Sequence, residues 1–85
     1  MTEQLSDRDR GLLAFEARWP RHSGAKEEAI RVELDLPPAR YYLLLDRLID
    51  TAPALEHDPL LVRRLRRMRD EGEQRRASRL SGVAR

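Results

Sequence analysis

Arginine dominates the reactive side chains of this chain. Sixteen of its seventeen basic residues are arginine, and Lys26 is the only lysine. Nine of the arginines fall within residues 59–85, against three acids, Asp70, Glu71 and Glu73. A guanidinium grips phosphate or the edge of guanine with two parallel donors, which an ammonium does not. The chemistry on offer is therefore recognition of a polyanion. A GC-rich genome raises the arginine share, but it does not gather arginines at one end. The first 58 residues carry eight basic and twelve acidic side chains and stand at −4, while the last 27 stand at +6. A change of sign along the chain predicts an acidic body with a basic appendage.

Little points to catalysis. His22 and His57, the only histidines, both fall in expected loops without a nucleophile at helical spacing. Cysteine is absent, which removes disulfides, thiolate zinc sites and cysteine nucleophiles together. Asp46 and Asp50 are spaced i, i+4 like a metal pair, yet they read more simply as a solvated helix face. No glycine-rich phosphate loop exists. The expectation is a binding protein, not an enzyme, with no catalytic residue, metal or cofactor.

The elements that position these groups must be few. Eighty-five residues make one domain, and 40% hydrophobic against 38% charged content places it at the polar end of globular chains. Four glycines and few β-branched residues argue against a sheet. No apolar run approaches the ~20 residues of a bilayer span, and no signal segment is visible at Met1–Leu5. The expected location is cytoplasmic, on the nucleoid, without membrane contact.

The predicted fold is all-α, with four helices. Three form a core, and an arginine-rich fourth follows. Ser6 caps the first helix, whose stripe is Leu12, Phe15 and Trp19, and Pro20 stops it. Ser23 caps a second helix over about 25–34. Ala29, Ile30 and Leu34 face inward there, with Lys26, Glu27, Glu28, Arg31 and Glu33 outside. The third helix spans about 38–50 and buries Tyr41, Leu44, Leu45, Leu48 and Ile49. Residues 53–58 read as a loop or a single turn. Asp58 and Pro59 start the last helix, with Leu61, Leu65 and Met68 as its inner stripe. Gly72 weakens that helix, so the domain is expected to span 1–72, with 73–85 a basic, frayed tail.

Two short helices joined by a three- or four-residue turn fit a helix-turn-helix. Ile30 and Leu34 bury its first helix, Leu36 plugs the turn, and Tyr41 and Leu44 dock the second. Asp35 stands where glycine usually supplies a positive φ, and Pro37 where a serine or threonine cap is common. Residues Ser6–Arg10, Gly24–Arg31, Ala39–Tyr42 with Leu48–Asp50, and Asp58–Arg66 carry a further signal. Through them the chain resembles the small actinobacterial helix-turn-helix proteins long filed as a domain of unknown function, a group that includes nucleoid-associated DNA-binding proteins. The resemblance spans about residues 6–70. It implies DNA binding, with a chromosome-organising or transcription-regulating role of low sequence specificity.

On that reading the helix at 38–50 enters the major groove. Pro38, Ala39, Arg40, Tyr42 and Leu43 are at its N-terminal end, and Arg40 alone suits a bidentate guanine contact. Arg47 reaches backbone, as do Arg63, Arg64, Arg66 and Arg67 on the last helix. Lys26, in the first turn of the second helix, is placed on a phosphate. Asp46 and Asp50 should repel DNA. The rival reading is a protein-interaction module for RNA polymerase or another regulator, with Leu43 as an anchor. Membrane binding by the last helix is weaker still, because that helix lacks aromatic residues.

Overall fold

The computed structural model describes residues 4–83, with side chains described as far as Leu80. The chain is all-helical over those residues. Its elements are α1 (Asp7–Arg18), α2 (Gly24–Leu34), α3 (Pro38–Leu48), α4 (Ala52–His57) and α5 (Pro59–Val83). There are five helices rather than four. The additional one is α4, where a loop or single turn was expected. Thr51 starts it by accepting a hydrogen bond from the Ala54 N–H, and Pro53 sits in the first turn. Six residues are too few to show a helical period, so the sequence hides this element.

The remaining helix starts follow local chemistry. Ser6 and Asp9 form a reciprocal capping box at α1. The Ser23 hydroxyl accepts from the Lys26 N–H at 3.0 Å and opens α2. Asp58 accepts from the Leu61 N–H at 3.3 Å and opens α5. Pro37 occupies the cap position of α3 and makes no side-chain cap bond. Pro38 follows at the first helical position, where its missing N–H forfeits nothing.

The connection from α2 to α3 is three residues long. Asp35 adopts φ 54°, ψ 43°, the left-handed region expected at this turn. Aspartate tolerates that region better than most residues. Leu36 is half-buried against the core.

One cluster of buried side chains holds the helices together. Leu12, Leu13 and Phe15 come from α1, Ile30 from α2, and Tyr41, Leu45 and Leu48 from α3, with Ile49 just beyond. Ala54 comes from α4, and Leu61, Val62 and Leu65 from α5. Phe15 and Tyr41 meet edge to face at 5.4 Å, a favoured aromatic geometry that ties α1 to α3.

Met68 departs from its expected place. It is 44% exposed, so the inner stripe of α5 ends at Leu65. Beyond that point α5 leaves the core, and every residue from Glu73 to Leu80 is exposed. The helix nevertheless continues through Gly72 to Val83, where weakening and fraying were expected. Arginine, glutamate, glutamine and alanine are strong helix formers, and a single glycine costs only about 1 kcal/mol. Ala84 and Arg85, the end of the expected tail, lie outside the described residues.

Candidate nucleic-acid interface

The outward face of α3 is set by what its inward face buries. Tyr41, Leu45 and Leu48 point into the core. Ala39, Arg40, Leu43 and Arg47 are consequently exposed, and Pro38 is half-buried. Leu43 is 42% exposed. These residues form a strip with two guanidiniums, one methyl group and one isobutyl group.

Asp46, on the same helix, and Asp50, just past its end, are exposed and line one furrow with Arg47. Asp50 is not free, because Arg69 on α5 donates to both of its carboxylate oxygens at 3.0 Å. The bond to Asp50 raises the Arg69 pKa above its ordinary value, so this guanidinium stays charged. One of the two acids expected to repel phosphate is thus neutralised from within the fold.

Tyr42 is half-buried. Its hydroxyl shares a 2.9 Å hydrogen bond with Nδ1 of His22, and its ring meets Tyr41 edge to face at 5.0 Å. Burial pushes its phenol pKa up, and the Glu16 carboxylate adds to the effect.

Lys26 requires correction. It was expected outside α2 and on a phosphate, yet it is 1% exposed. Its Nζ donates to Glu16 Oε1 at 2.9 Å and to Oε2 at 3.0 Å. The Tyr41 hydroxyl donates to the same carboxylate at 2.5 Å. An ammonium held in this way cannot reach DNA. The bonds join α1, α2 and α3 at one point, and among the described residues no buried side-chain polar atom lacks a partner. Burial, with Glu16 beside it, drives the Tyr41 pKa far above its ordinary value.

Sequence reasoning missed Glu16 altogether, although two signals point to the pair. Lys26, Ile30 and Leu34 stand at i, i+4, i+8, and Glu16 shares a face with Leu12 and Leu13. Polar residues on apolar stripes at facing positions mark an internal ion pair.

The arginines of α5 divide into two groups. Arg63, Arg64, Arg67, Arg75, Arg76 and Arg79 are exposed. Arg66 is half-buried, and its Nε–H donates to the Ile49 carbonyl at 2.5 Å, closing the end of α3. Arg69 is spent on Asp50, and also approaches Asp70. Between α3 and this helix runs a shallow furrow lined by Asp46, Arg47, Asp50, Arg69, Asp70 and Glu73. The strip on α3 and the free arginines of α5 are therefore separated by carboxylates.

A larger cleft of about 510 Å³ lies nearby, with Glu16, His22, Tyr42, Met68, Arg75 and Arg76 among its lining residues. Among the described residues no group of three or more histidines or acids is arranged to hold a metal ion. None of the described helices is long and apolar enough to cross a membrane.

No curated protein and no solved structure matches this chain. A family model does, over residues 4–77, which is nearly the whole of the described chain. It includes all the segments that carry the resemblance drawn from the sequence. The chain belongs to this family, described as protein of unknown function DUF3263.

Proposed function

We propose that this protein binds double-stranded DNA, with α2 and α3 as a helix-turn-helix and α3 as the recognition helix. The observation that carries the reading is the outward strip Ala39, Arg40, Leu43 and Arg47, held rigidly by the buried Tyr41, Leu45 and Leu48. The left-handed Asp35 in a three-residue turn supports it. Arg40 is the one side chain of the strip's first turn able to bond guanine O6 and N7 together. Arg47 lies two turns further along and suits a phosphate.

Free arginines on α5, namely Arg63, Arg64 and Arg67 and, further along, Arg75, Arg76 and Arg79, supply sequence-independent attraction. With Arg40 as the one arginine reading bases, specificity is low and sites are many. A nucleoid-associated or broadly regulatory role suits that behaviour better than control of one operator. Lys26 has no part in this reading.

The test is fluorescence anisotropy of the full chain on generic and selected duplexes over a salt series. If about four phosphates are neutralised, log K falls against log salt with a slope of roughly −3.6. Arg40→Ala should flatten discrimination between duplexes. The pair Arg63→Ala and Arg67→Ala should weaken all duplexes alike and make the slope shallower. No binding at low salt overturns the proposal.

One observation favours a second reading, docking on the transcription machinery. Carboxylates separate the two basic faces, and Leu43 and Leu60 are both exposed, Leu60 by 81%. Retention of RNA polymerase on the immobilised chain, with no duplex bound at low salt, would select it.

A further inference from the structure

We propose that Ser78 is the acceptor site of an arginine-directed serine/threonine protein kinase, and that phosphate there weakens polyanion binding by α5. The second part rests on the DNA reading above, whereas the first does not. Ser78 follows Arg75 and Arg76 at −3 and −2 and precedes Arg79. Two guanidiniums at those offsets are what a kinase groove bearing carboxylates would select by charge complementarity.

The other described hydroxyls do not compete. Ser6, Ser23 and Thr51 are engaged in helix caps. None has arginine at both −3 and −2, and neither does Ser81, which has only Arg79 within four positions before it.

Access favours the same residue. A kinase takes its acceptor in an extended segment, so part of the helix has to open. Residues 73–80 are all exposed and contribute nothing to the buried cluster. Gly72 at the base of this stretch is a weaker helix former than alanine. Local opening is cheapest where few buried contacts are lost.

In the transfer, the Ser78 Oγ bonds to the γ-phosphorus of ATP. The hydroxyl proton passes to the kinase's carboxylate base. The bond from that phosphorus to the β–γ bridging oxygen breaks, and ADP leaves. The phosphoserine brings a charge of about −1.5 to −2 between Arg75, Arg76 and Arg79. Ion pairs with these guanidiniums then compete with DNA phosphates for the same donors.

The experiment treats the full chain with an arginine-directed kinase and magnesium ATP, then reads incorporation and position by mass spectrometry. A single phosphate on Ser78, lost in Ser78→Ala and strongly slowed in the pair Arg75→Ala and Arg76→Ala, supports the site. Phosphate on another hydroxyl overturns it, as does no incorporation while a peptide of residues 73–81 is phosphorylated. Anisotropy on a generic duplex tests the second part. A salt slope shallower by about 1–2 in the phosphorylated chain is the expected result. Equal affinity and slope for the two forms overturn the regulatory part. Failure of the unmodified chain to bind DNA overturns the DNA reading and leaves the incorporation result standing.

Discussion

Two ion pairs fasten neighbouring parts of this molecule, and they differ in nearly everything except charge. Glu16 and Lys26 meet in the core between α1 and α2, with side chains 5% and 1% exposed, and the Tyr41 hydroxyl from α3 completes their bonding. Asp50 and Arg69 meet at the rim between α3 and α5, where the carboxylate stands in water. A buried pair recovers its desolvation cost only when geometry is good and remaining lone pairs are filled. Glu16 meets that condition through three donated bonds. At the rim little is desolvated, and little is gained. The first pair decides how the three helices sit, and the second adjusts local charge beside the proposed recognition face.

The sharpest way to break this contrast is Lys26→Met. It strands a carboxylate in the core and should lower unfolding stability by about 3–5 kcal/mol in denaturant titration. Adding Glu16→Leu to that variant should restore much of the loss, because no unpaired charge then remains. A Lys26→Met chain as stable as the parent would mean that the pair contributes no more than its exposed counterpart.

Tyr41→Phe removes one bond to a charged acceptor and keeps the ring in place. The expected loss is about 1.5–3 kcal/mol, read in the same titration. Alkaline pH probes this phenol in another way. Burial and Glu16 raise its folded pKa above the unfolded value, so its contribution is complete below about pH 10. Above that, the unfolded chain releases a proton that the folded chain retains, and stability falls by up to about 1.4 kcal/mol per pH unit. Tyr41→Phe should flatten most of the decline, while Tyr42, shifted in the same direction, supplies the remainder. A decline as steep in Tyr41→Phe as in the parent would assign it elsewhere.

At the rim, Arg69→Ala should cost no more than about 1 kcal/mol of stability. It uncovers the Asp50 carboxylate beside α3, so affinity for a generic duplex should drop more than stability does. Matching changes in both would remove the proposed division of labour.

The same contrast explains what could be read from the sequence. Caps at Ser6, Ser23 and Asp58, the restart at Pro59, the Asp35 turn and most of the apolar stripes are local signals. Each follows from neighbours within four residues. The helix α4 was hidden because it is shorter than two periods. Met68 fits its stripe by spacing, but how far α5 stays on the body is decided by length and shape, which spacing does not encode. Lys26 escapes a local reading because its partner Glu16 lies 10 positions away in sequence, and Tyr41, which bonds the same carboxylate, lies 15 away. On the proposed interface the outward placement of Ala39, Arg40, Leu43 and Arg47 follows from periodicity, as does that of Arg63 and Arg67. The diversion of Arg66 to a carbonyl and of Arg69 to Asp50 depends on tertiary distance, and no local pattern announces it.

The length of α5 has a hydrodynamic consequence. Twenty-five residues at about 1.5 Å each make a rod of roughly 37 Å. That exceeds the 33 and 19 Å extents of the molecule, so only the 49 Å axis can hold the rod lengthwise. Rotation about this axis is faster than end-over-end tumbling. Backbone amides of α5, aligned with it, should relax as if attached to a heavier particle than amides lying across it. Nitrogen spin relaxation would register that anisotropy helix by helix.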